Sequence, residues 1–254
     1  VSVTPLPAAL ITPAGPLTFC AGQTVSLKAN TGTNYTYQWK KGAVNIPGAT
    51  LVNYTASTSG VFSVVVTNAA GCSVTSPGVT VTVNNAPLAT VAAAGATSFC
   101  AGKSVLLKAI NGTGYTYQWR KNGINIPQET TANYTAVATG VYSVIVSNAS
   151  GCSTTSVGMG ITVAMAPLAT VAVAGPTTFC EGKNVLMKAI AGTGYTYQWK
   201  KNGITIPAQT QSNYTATATG VYTVMVTNAE GCSTLSSAIN VTVTPSPSVI
   251  ITAN

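Results

Sequence analysis

The sequence predicts an all-β chain of three tandem sandwich domains in head-to-tail order, and three observations predict it. The first is a recurrence. Trp39, Trp119 and Trp199 stand 80 residues apart, as do Cys20, Cys100 and Cys180, and again Cys72, Cys152 and Cys232. A fixed period with a complete hydrophobic pattern in each copy marks tandem repeats. At this period each copy can hold its own core, so the units read as small domains and not as turns of a solenoid. The second observation is period-2 alternation of apolar and polar residues, rich in Val, Tyr and Thr. The third is a turn signal roughly every ten residues. No stretch carries helical periodicity over two turns.

The second repeat shows each element in turn. In Ser104–Ala109, Val105, Leu107 and Ala109 share one face, and Leu106 and Lys108 the other. A Gly-Thr-Gly turn follows, and then Tyr115, Tyr117 and Trp119 line one face opposite Thr116, Gln118 and Arg120. Asn122-Gly123 is a hairpin signal, because both residues tolerate the positive φ that a tight turn demands. Ala132–Ala136 reads as the next strand. Tyr142, Val144 and Val146 then alternate inward towards an Asn/Gly turn, and Gly158–Val163 leads to the linker proline. The boundaries expected are 1–83, 84–163 and 164–243, with 244–254 as the start of a further repeat. That last assignment rests on likeness between the two ends of the chain, offset by 240 residues, and the whole reads as a segment of a longer array. The short Pro-containing linkers, Ala86-Pro87-Leu88 and Ala166-Pro167-Leu168, are expected to limit bending.

Composition excludes several functions. Histidine is absent, and the three acids are all glutamates, Glu129, Glu181 and Glu230, at three different repeat positions. General acid–base catalysis needs a positioned titratable group, usually His or a carboxylate. Calcium sites need clustered carboxylates, and a zinc site without histidine needs thiolates at close spacing. The expectation is therefore no enzyme, no metal and no cofactor. No apolar run is long enough to span a bilayer, and neither membrane insertion nor nucleic-acid binding is expected.

The aromatic run Tyr-Thr-Tyr-Gln-Trp admits two readings: a stacking platform for a sugar, or the inner face of a buried strand. Alternation forces Tyr37, Tyr117 and Tyr197 to the side of Trp39, Trp119 and Trp199. The opposite faces carry Thr, Gln and Lys. These six aromatics are accordingly taken as the core signature.

The order of these motifs resembles the immunoglobulin-like domain. Trp119 stands where that family keeps its buried Trp, and Thr139-Gly140-Val141-Tyr142 resembles the approach to its tyrosine corner. Phe62 replaces that tyrosine in the first repeat. The resemblance places Ala109 and Val144 at the positions of the family's inter-sheet disulfide, so an apolar pair fills that space. The Phe-Cys-x-Gly opening, the Gly-Tyr-Thr-Tyr-Gln-Trp centre and the Asn-x-x-Gly-Cys-Ser close are also similar to Ig-like repeats of very large secreted surface proteins of Bacteroidota, including gliding-associated adhesins and type IX secretion cargo. That resemblance implies export, display outside the cell and a structural or adhesive role.

The six cysteines, even in number and locked to the repeat, fit structural disulfides in an oxidising compartment. Two connectivities are open. Local pairing gives Cys20–Cys72, Cys100–Cys152 and Cys180–Cys232. The A–B and F–G turns of an ordinary Ig sandwich lie at opposite ends, roughly 20–25 Å apart for a seven-residue strand, whereas a disulfide needs Cα atoms within about 7 Å. In a head-to-tail array those two ends face each other across a junction. That allows Cys20–Cys152 and Cys100–Cys232, with Cys72 and Cys180 left for neighbours. The local pairing is preferred, because a bond confined to one repeat works in any copy number and a shift of the segment before the second strand could bring the pair together.

Two surface features are candidates for binding. Val65, Ile145 and Met225 should point outward beside Gln38, Gln118 and Gln198, and could form a lateral contact for self-association. The net charge is +8 and much of it recurs by position: Lys28, Lys108 and Lys188, and the pairs Lys40-Lys41, Arg120-Lys121 and Lys200-Lys201. Those pairs could meet an anionic surface polysaccharide, although a solubilising role is the simpler reading. Asn53-Tyr54-Thr55 and its two counterparts match glycosylation acceptors. The functional expectation is a structural and adhesive segment of a long extracellular repeat protein, a stiff stalk or filament-forming array. The alternatives are a polysaccharide-binding array and accessory domains of a secreted enzyme.

Overall fold

The computed structural model describes residues 5–247. Among them are 27 strands, nine per repeat, and no helix. In the first repeat these are β1 (Ile11–Pro13), β2 (Thr18–Cys20), β3 (Val25–Ala29), β4 (Thr36–Lys41), β5 (Val44–Asn45), β6 (Asn53–Ala56), β7 (Gly60–Thr67), β8 (Ser73–Thr75) and β9 (Val79–Asn84). They form a three-stranded sheet, β1-β3-β6, and a six-stranded sheet, β2-β9-β7-β4-β5, with β8 on β7. The second and third repeats carry the same strand order. This is an Ig-like sandwich repeated three times in tandem.

The alternation of apolar residues drives the architecture. Along β7, Phe62, Val64 and Val66 are fully buried, while the residues between them are not. They meet Val25, Leu27 and Ala29 of β3 and Trp39 of β4 in one core. The third repeat builds the same core from Val185, Met187, Ala189, Trp199, Tyr222, Val224 and Val226. Ala29 and Val64, the first repeat's counterparts of Ala109 and Val144, are both buried there.

Register fixes what faces what. Trp39 pairs with Val64 and Gln38 with Val65 across β4 and β7. Asn202 and Gly203 both have positive φ, 51° and 80°, as the hairpin between the counterparts of β4 and β5 requires.

Two strands of each repeat were not expected: β2 and β8 and their counterparts. Each is three residues long, too short for alternation to register. Of these, β2 pairs in parallel with β9, Cys20 opposite Asn84, and this pairing carries the cysteine to the end of the larger sheet.

The described residues fall into two compact units. One runs to Val91 and adds Ala109–Ala132 and Ser143–Gly158. The other is Ala92–Lys108, Asn133–Tyr142 and the chain from Met159 on. Residues 248–254, most of the segment assigned to a further repeat, lie outside the described residues.

Candidate functional site

Trp39 is fully buried, and its Nε1–H donates to the Leu51 carbonyl at 2.8 Å. Trp199 does the same to Gln211 at 2.9 Å. Its ring lies 5.4 Å from Tyr214, which lies 5.6 Å from Tyr222, an offset ladder of the kind aromatic quadrupoles favour. Trp39, Tyr54 and Phe62 repeat that ladder in the first domain. Tyr37, Tyr117 and Tyr197 are half-buried, and their hydroxyls donate to the carbonyls of Asn30, Ile110 and Ile190. Tyr35 lies against Gly32 so closely that a Cβ there would sit 2.4 Å from its ring. All these rings are committed to the sandwich. Tyr54 of the Asn53-Tyr54-Thr55 acceptor belongs to the ladder, while Asn53 is exposed.

The two members of each basic pair lie on opposite faces of their strand, so Lys40 and Lys41 part company. Lys41 lies on the face of Trp39, its Nζ 5.9 Å from the Phe62 ring centroid and donating to Thr58 Oγ1 at 2.9 Å. Lys201 sits 5.9 Å from the Tyr222 ring centroid in the same way. Arg120 donates through its guanidinium to the Gly123 carbonyl inside its own hairpin. Val65, Ile145 and Met225 are half-buried. The neighbouring Gln38 turns its amide back to the Ile46 carbonyl at 2.8 Å and does not present it outward.

The cysteines give the chain its distinctive chemistry, and here the structure corrects the preferred reading. Cys20 is bonded to Cys152 and Cys100 to Cys232, each with Cα atoms 5.5 Å apart and a sequence separation of 132. The local pairs do not form. The physical reason is the one that counted against them: a repeat's two cysteines stand at opposite ends of its sheet, and no local shift reaches across. Cys72 and Cys180 are free thiols.

Each bonded junction is built alike. The chain leaves a repeat at Asn84, whose carbonyl accepts from the Ala21 amide at 2.9 Å. This ties the end of β9 to the residue after Cys20. The next residue, Asn85, offers its carbonyl to the Asn148 side-chain amide at 2.8 Å. Oδ1 of the same Asn148 accepts from the Cys152 amide at 3.0 Å, while the Asn148 amide donates to the Cys152 carbonyl at 3.0 Å. One side chain thus folds its own turn and grips the incoming chain. At the second junction Asn228 donates to the Met165 carbonyl at 2.9 Å and accepts from Cys232 at 2.8 Å. Gly151 and Gly231 hold φ near +77° and +79°, which lets the turn close. The signal was present in the sequence as Asn-x-x-Gly-Cys at the repeat period, read there as a turn and not as a grip.

Sequence reasoning also missed Ser76, Ser156 and Ser236, the buried polar residues among those described. Ser76 Oγ accepts from the Val64 amide at 3.1 Å and donates to the Pro77 carbonyl at 3.0 Å, so it replaces a ladder bond where β8 leaves β7.

No family model and no curated protein matches the chain. Among solved structures it is similar to the I-band fragment from titin, with a TM-score of 0.51 and 14% identity, covering 95% of this chain and 100% of that one. The three N-terminal domains of the bacteriophage RB49 Highly Immunogenic Outer Capsid protein align over 93% of this chain and 99% of theirs, at 17% identity and a TM-score of 0.40. The titin likeness shows the fold: a tandem array of three Ig-like domains.

Proposed function

We propose that the chain is a structural and adhesive segment of a long extracellular repeat protein, a stiff stalk whose successive domains are locked to one another. The observation that carries this reading is the placement of both disulfides between consecutive repeats. A bond inside a domain stabilises that domain; a bond across a junction restricts motion between domains and adds a second covalent path for tension. The thiol chemistry fits an oxidising compartment outside the cell, and the motifs resemble those of displayed proteins of Bacteroidota.

Single-molecule stretching tests the reading. With both bonds intact, the shortest covalent route runs from the amino terminus through Cys20–Cys152, back to Cys100, through Cys100–Cys232 and on to the carboxyl terminus. At roughly 3.4 Å per residue, the unfolded oxidised chain extends to about 320 Å and the reduced chain to about 860 Å. A chain that reaches the longer limit without reductant overturns the load-bearing reading. A polysaccharide array through Lys40, Lys41, Arg120, Lys121, Lys200 and Lys201 is the weaker alternative, since the pairs point to opposite faces. Lateral association through Val65, Ile145 and Met225 would be read as a concentration-dependent mass that falls when Ile145→Lys is introduced.

A further inference from the structure

We propose that Asn111 is a site of self-modification: the backbone nitrogen of Gly112 attacks the Asn111 side-chain amide, and water then leaves aspartate or isoaspartate in its place. The chain so gains a fourth carboxylate, in the loop that packs on the turn holding Cys152.

The chemistry belongs to the Asn-Gly step. Attack on Cγ closes a five-membered succinimide, the bond from Cγ to Nδ2 breaks, and ammonia leaves with the proton of the Gly112 amide. Water opens the ring at one carbonyl to give aspartate, or at the other to give isoaspartate. The balance is asparagine plus water to acid plus ammonia, with no change of oxidation state. Glycine favours the attack because no Cβ screens its nitrogen.

The chain holds three such steps, Asn111-Gly112, Asn122-Gly123 and Asn202-Gly203, and the structure sets the first apart. Asn122 and Asn202 each have φ of 51°, followed by glycines at 80°, inside hairpins where Lys121 pairs with Ile124 and Lys201 with Ile204. Asn202 is tied twice more to Val221: its amide donates to the Val221 carbonyl at 2.7 Å, and its Oδ1 accepts from the Val221 amide at 2.8 Å. Closing the ring means rotating the asparagine backbone out of the turn and breaking these bonds. Asn111 instead lies in an exposed loop between the strands Val105–Ala109 and Thr116–Lys121. Among the described residues no hydrogen bond takes the Gly112 amide.

The fold itself keeps the glycine in place. A Cβ on Gly112 would sit 2.4 Å from the Tyr115 ring, and Gly32 and Gly192 stand equally close to Tyr35 and Tyr195. The residue before it varies freely, as Thr31, Asn111 and Ala191, so in this loop the second repeat alone carries the reactive pair. The Tyr117 hydroxyl is shared between Asn111 Oδ1 at 3.1 Å and the Ile110 carbonyl at 3.2 Å. On Oδ1 it draws charge from Cγ and stabilises the oxyanion formed by the attack. The same loop reaches the Asn148–Cys152 turn, where a Cβ on Gly114 would lie 3.7 Å from the Ala149 Cβ. Conversion lowers the net charge of +8 by one. This goes beyond the mechanical reading and does not rest on it.

The test holds the intact, disulfide-bonded chain at mildly alkaline pH and digests samples with pepsin in acid, where the reaction stalls. Mass spectrometry then follows each Asn-Gly peptide. The Asn111 peptide should gain the mass of an amide turned acid at least about tenfold faster than the other two, whose hairpins must open first. An isoaspartyl methyltransferase should label the product. In guanidinium with the disulfides reduced, the three rates should converge. Asn111→Gln should abolish the gain at that position, and Tyr117→Phe should slow it by about tenfold, less than an oxyanion donor is worth in a dry active site. Equal rates at the three sites in the folded chain would overturn the proposal. So would an Asn111 that survives in the folded chain yet converts in the unfolded one. A Tyr117→Phe rate no slower than the parent's would overturn the part given to the hydroxyl.

Discussion

The first and third repeats share a strand order and a core but differ where β7 begins. In the third, the Tyr222 hydroxyl donates to the Ala218 carbonyl at 2.8 Å, and Asn202 Oδ1 accepts from the Val221 amide at 2.8 Å. In the first, Phe62 has no hydroxyl and Gly42 has no side chain, so neither bond exists. Lys41 instead donates to Thr58 across the same corner. The fold is unchanged. The buried apolar face, and not the corner's polar bonds, is therefore what specifies the sandwich, and those bonds add stability on top of it.

That contrast can be broken or sharpened in order of effect. Removing a junction bond should cost most. In the chain-entropy model, closing a loop of 132 residues stabilises by about 5 kcal/mol. Cys20→Ser should release chiefly the first repeat and Cys100→Ser the third, read as protection lost in hydrogen exchange. Next come Trp39→Ala and Trp199→Ala, each expected to cost about 3–5 kcal/mol as a buried aromatic leaves a cavity. Calorimetry should find the two alike; a large gap would mean the cores are less equivalent than their burial shows. The corner exchange is smaller. Tyr222→Phe should destabilise the third repeat by about 1 kcal/mol, and Phe62→Tyr should stabilise the first by no more than that, in denaturant titrations.

The last prediction concerns pH. Burial, helped by the neighbouring Tyr214, raises the Tyr222 phenol above its ordinary value of 10.0; Tyr142, beside Tyr134, is raised likewise. The unfolded phenol ionises first, so above pH 10 the unfolded state holds fewer protons than the folded one. Stability contributed by these residues is present below that pH and falls as pH rises past it. Phe62 cannot titrate, so alkaline melting curves should weaken the third repeat through this position and not the first. Equal slopes in Tyr222→Phe and parent would remove the phenol as the cause.

Much of this was legible in the sequence because period-2 alternation and burial are one fact seen twice. Trp39 and Val64 declare their face by their neighbours. What was not legible were features set by distance between elements far apart in the chain. β2 has three residues and no pattern, yet its parallel pairing to β9 carries Cys20 to the sheet end. The local cysteine pairing looked simpler only because sequence counts residues and not ångströms. Asn148 read as an ordinary turn former, since a side chain gripping a carbonyl 63 residues away leaves no local trace.

The two disulfides also overlap. The loop closed by Cys20 and Cys152 and that closed by Cys100 and Cys232 share residues 100–152. In graph terms, every backbone bond between Cys20 and Cys232 lies on a cycle, so none is a bridge whose loss disconnects the molecule. A protease that cuts once anywhere in that span leaves a single covalent body. Two separate local loops would leave the linker between them as a point where one cut severs the chain. The linkers Ala86-Pro87-Leu88 and Ala166-Pro167-Leu168 each lie inside one of the two loops, so a single cut in either leaves the repeats joined.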